Sequence, residues 1–60
     1  MKLSTGDMVS WYSMNEQDTG IVIRRNRHEN RSYIFWFSGD SHGWFDDGHP
    51  CIGVVSYASR

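Results

Sequence analysis

The stretch Tyr33-Ile34-Phe35-Trp36-Phe37 restricts the fold of this chain more than any other feature. Five consecutive large apolar side chains are too few for a helix and show no polar alternation. They read as the central strand of a sheet, with cover needed on both faces. No other segment keeps a helical period over a useful length. Strand formers recur in short runs between clusters of Gly, Asn, Asp and Ser, which predicts a small all-β sandwich or barrel.

Five strands follow from this pattern. Met8-Val9-Ser10-Trp11-Tyr12 comes after the turn pair Gly6-Asp7 and places Val9 and Trp11 on one face. Residues 13–19 are polar and read as a loop. Residues 20–25 form the second strand, carried by the stiff β-branched triplet Ile21-Val22-Ile23. Residues 26–32 are a hairpin connection, and residues 38–43 a turn. A short fourth strand covers 44–46, a single helical turn 47–50, and a closing strand 52–57. The expected core is Val9, Trp11, Val22, Phe35, Ile52 and Val54, or their register neighbours. In the central run, either Tyr33, Phe35 and Phe37 or Ile34 and Trp36 turn inward.

Sixty residues make one domain, 1–60, with no room for an enclosed substrate cavity. A domain of this size buries only about 60% of the surface its unfolded chain exposes. The single cysteine, Cys51, excludes an intramolecular disulfide and a four-cysteine zinc site. No apolar run approaches the roughly 20 residues of a membrane helix. The first seven residues lack the apolar core of a signal peptide, so an intracellular setting is expected. A net charge of −1 gives no global attraction to nucleic acid or to an anionic membrane.

Two features point to binding. Aromatics make up 15% of the chain, and a small barrel leaves part of the set Tyr33, Phe35, Trp36, Phe37, Trp44 and Phe45 at its surface, as binding patches do. Arg24, Arg25, Arg27 and Arg31 hold four of the six basic residues around one hairpin, where guanidinium forks can meet carboxylate or phosphate. Catalytic and metal readings are weaker. Ser38, Asp40 and His42 share one turn and do not converge as a triad. Asp46, His49 and Cys51 suit zinc by type, but their spacing fits no tetrahedral motif. No cofactor, metal or enzymatic role is expected.

Gly6-Asp7-x-Val9, Gly20-Ile21-Val22-Ile23, the aromatic strand, Gly43-Trp44 and the final Val54-Val55 together resemble the small SH3-like barrel. The nearest in character are KOW and Tudor-like modules and short uncharacterised proteins of tailed phages, cyanophages among them. The resemblance spans residues 6–55 and implies a five-stranded SH3-like barrel. The proline-binding aromatics and acidic loop motif of signalling SH3 domains have no counterpart here. A fold of this kind hosts many functions and decides none. The expected function is a non-enzymatic protein-interaction module, phage-encoded and found in the host cytoplasm or the virion. It docks onto a larger protein or onto itself through Tyr33, Trp36 and Trp44, with Arg25 and Arg27 as steering charges. Two alternatives are a KOW-like nucleic-acid module using Arg24, Arg25, Arg27 and Arg31, with weak, salt-sensitive binding, and a small inhibitor of a host enzyme. Neither a membrane nor a small-molecule substrate is expected.

Overall fold

The computed structural model describes residues 3–39 and 42–58; Met1, Lys2, Asp40, Ser41, Ser59 and Arg60 lie outside them. Its five strands are β1 (Met8–Ser13), β2 (Glu16–Asn26), β3 (Arg31–Trp36), β4 (His42–Asp46) and β5 (Ile52–Ser56). They form a single antiparallel sheet in the order β4-β3-β2-β1-β5. The chain is all-β, as expected, and consistent with a small SH3-like architecture. The sheet is not closed, since β4 and β5 remain its two edges.

Four expectations about strands and turns are corrected, the first being the 38–43 turn, since His42 and Gly43 already belong to β4 and pair with Phe35 and Ile34. The aromatic strand β3 is not central; β2 holds the middle of the sheet, flanked by β1 and β3. Residues 16–19 are strand rather than loop, because Glu16 to Thr19 pair with Ser13 to Ser10 around the two-residue turn Met14-Asn15. Their polar side chains suit a hairpin end that reaches solvent, so cross-strand pairing overrides weak strand propensity. Residues 47–50 form no helical turn: His49 N–H donates to the Asp46 carbonyl and Ile52 N–H to the His49 carbonyl, which makes two successive turns. The β2–β3 connection matches its sequence. The Asn26 side chain accepts from the N–H groups of His28 and Glu29, and Asn30 takes a left-handed conformation at φ 53°.

Alternation resolves the two faces. Val9, Val22, Ile34, Trp36 and Ile52, with Leu3, form the buried cluster, and Trp11, Phe45 and Val54 pack against it. Register makes these one face: Val9 lies opposite Gly20 and Val54, Gly20 opposite Trp36, and Val22 opposite Ile34. Phe35, expected in the core, belongs to the other face and is only half-buried. Gly20 is required where Trp36 crosses it. A Cβ there would stand 2.7 Å from Trp36 Cε3 and 2.8 Å from the Phe35 carbonyl oxygen.

A bulge at Ile23 shifts the β2–β3 register, so that Val22 faces Ile34 but Arg24 faces Tyr33 and Arg25 faces Ser32. One extra residue exchanges the faces of everything beyond it. Arg25 is thereby turned inward beside buried Ser32, and Arg24 outward. The Arg25 guanidinium meets Asp47 Oδ2 at 2.7 Å and also donates to the Leu3 carbonyl. Ser32 Oγ donates to Asp47 Oδ1 at 2.7 Å. Asp47 is 2% exposed, so it closes a buried polar network that joins β2, β3 and the segment before β1. Asp7, also buried, accepts from the N–H groups of Ser4 and Ala58, each at 2.8 Å.

Candidate interaction surface

The outer face of the sheet carries the side chains that the core leaves out. On β3 these are Tyr33 and Phe35, and Phe37 continues the alternation just beyond the strand end. Tyr33 lies opposite Trp44 and Phe35 opposite His42 on β4, while Ile21 and Arg24 flank them on β2. The rings of Tyr33 and Trp44 meet edge to face at 5.2 Å, and those of Phe35 and Phe37 at 6.3 Å. The Tyr33 hydroxyl and His42 Nδ1 share a hydrogen bond. Trp44 is 44% exposed and Phe37 51%. An indole and a phenyl ring left this open forgo part of the roughly 1.5–3 kcal/mol that full burial of such groups contributes.

The predicted residues divide. Tyr33 and Trp44 come together on this face. Trp36, expected as a surface anchor, is 5% exposed and packs in the core, because β3 alternates with Ser32, Ile34 and Trp36 inward. Arg25, expected as a steering charge, is inside and paired with Asp47. Arg27 is exposed in the β2–β3 connection, beyond the end of β2. Arg31 is exposed at the end of β3, where its Nε meets Asp46 Oδ1 at 3.1 Å. Arg24 and Arg27 thus keep no carboxylate partner among the described residues, and the four-arginine cluster expected for phosphate is reduced by half. Phe35 and Phe37, both in the aromatic set expected to be partly exposed, join this face, and His42 was missed as a member of it. The period-two placement of Ser32 ahead of Ile34 was the available signal.

The metal and triad readings gain no geometry. Among the described residues, no three of His, Cys, Asp and Glu gather closely enough to hold an ion. His49 Nδ1 accepts from the Cys51 N–H at 3.1 Å, and His42 is engaged with Tyr33. Asp40 lies outside the described residues. Among the described residues, no helix is long and apolar enough to cross a membrane.

Compared with protein-family models, curated proteins and solved structures, the chain has no match.

Proposed function

We propose that this chain is a non-enzymatic interaction module that docks onto a larger protein or assembly through the outer face of β2, β3 and β4. The reading rests on one observation: Trp44 and Phe37 stand 44% and 51% exposed on a face that already carries Tyr33 and Phe35, while the core fills without them. Contiguous exposed aromatics favour association, and Trp and Tyr are the usual central anchors of protein interfaces. Trp44 is the anchor in this reading, with Tyr33 beside it. Arg24 takes over the orienting role first given to Arg25, since it lies opposite Tyr33 and has no carboxylate partner among the described residues.

The test compares a tagged wild-type chain with Trp44→Ala in pull-downs from the native source, with near-ultraviolet circular dichroism as the check on folding. Loss of a defined captured protein by the folded variant supports docking through this face. A captured enzyme whose activity falls on binding identifies the module as an inhibitor. Equal capture by both chains, or capture of nucleic acid alone at physiological salt, overturns the reading.

A further inference from the structure

The opposite face of the sheet holds a concave feature of its own. Beside the β1–β2 hairpin, Trp11, Trp36 and Phe45 open into a cleft of about 180 Å³ whose rim carries Glu16 and Asp18. Ring centroids lie 6.0 Å apart for Trp11–Trp36, 6.0 Å for Trp11–Phe45 and 5.6 Å for Trp36–Phe45. The corresponding interplanar angles are 76°, 64° and 88°. Three rings inclined this steeply to one another form the walls of a corner rather than a stack. His49 backs the Trp11 ring at 4.9 Å.

Register explains the carboxylates. Asp18 lies opposite Trp11, and Glu16 opposite Ser13, so both acids share the inward-facing parity of Trp11. Asp18 Oδ1 accepts from the N–H groups of Thr19 and Ser38, which holds the side chain in place. Neither acid has an ion-pair partner among the described residues. Two carboxylates without an ion-pair partner among the described residues therefore border a cleft walled by three aromatic rings.

We infer that this cleft receives the cationic tip of a lysine or arginine side chain presented by a partner protein. Ring quadrupoles and carboxylates attract the same ligand, a cation with an apolar stem. The cleft is smaller than the roughly 300–1,000 Å³ of small-molecule pockets, and it is open, which suits the end of a side chain. The site lies on the face opposite Trp44 and stands independently of docking there.

The three indole N–H signals of the ¹⁵N-labelled chain separate the two sites. The probes are an acetylated, amidated glycine-lysine-glycine tripeptide, its arginine counterpart, and a norleucine tripeptide of the same length without the charge. Titration at constant ionic strength is expected to give saturable shifts of the Trp11 and Trp36 indoles with a basic peptide. No saturation is expected with norleucine, and the Trp44 indole is expected to stay still. The double variant Glu16→Gln, Asp18→Asn keeps the Asp18 side-chain acceptor and is expected to weaken binding about fivefold, in line with loss of exposed charge pairs. Equal shifts with norleucine, shifts centred on Trp44, no response to either basic peptide, or undiminished affinity in the double variant would each overturn the inference. Failure here leaves the Trp44 pull-down unaffected, and the converse also holds.

Discussion

Replacing Asp47 by Asn strands the charge of Arg25 inside the domain. The side chains of Arg25 and Asp47 are 11% and 2% exposed, and their contact is 2.7 Å, so solvent screens the pair little. Asparagine keeps an oxygen for the Ser32 hydroxyl, but loses both the charge and the second acceptor oxygen that Arg25 and the Leu3 N–H share. Removing one partner of a buried pair costs about 3–5 kcal/mol, mostly because the other charge remains buried alone. The total stability of a domain of sixty residues is on the order of 3–9 kcal/mol, so the variant should approach complete unfolding. Urea titration followed by tryptophan fluorescence reads the effect. At a slope of about 1 kcal/mol per molar, the midpoint should fall by roughly 3–5 M, and a chain already unfolded in buffer marks the upper end. Adding Arg25→Met removes the stranded charge and should recover at least half of the loss. Arg31→Ala, which breaks the exposed pair with Asp46, should cost less than about 1 kcal/mol. A midpoint shift below about 1 M for Asp47→Asn, or no recovery in the double variant, would refute the buried-pair argument.

The two faces of β3 predict unequal costs. Ile34→Ala, at a fully buried site, should destabilise by about 2–5 kcal/mol, whereas Phe35→Ala, on the half-covered outer face, should cost about 1 kcal/mol. Equal urea midpoints for these two variants would reverse the face assignment. Gly20→Ala should cost at least about 1–3 kcal/mol, because the added methyl meets the Phe35 backbone oxygen as well as the Trp36 ring. An unchanged melting temperature for this variant would show that Trp36 does not cross Gly20 as described.

The class of fold was legible in the residues themselves. Short β-branched and aromatic runs, broken by Gly, Asn and Asp, leave no stable helix and so dictate an all-β chain. Val9, Val22 and Ile52 were readable as core because each sits in a run of strand formers. The candidate surface was legible only as an excess: the run 33–37 holds more apolar area than one face of a sheet can hide. Which side faced outward depended on the partner strand, since every position in that run could fill a core. Opposite Gly20 there is space for Trp36, and the small buried Ser32 leaves space for Arg25 and Asp47. Arg24 and Arg25 are identical in local chemistry, and no sequence pattern distinguishes them. The bulge at Ile23 turns one into a buried ion pair and leaves the other beside the exposed rings. The cleft of Trp11, Trp36 and Phe45 likewise joins three strands, with Trp11 far along the chain from the other two rings. Composition and period fix what each segment can become, whereas register, a property of paired strands, fixes which side chain meets water.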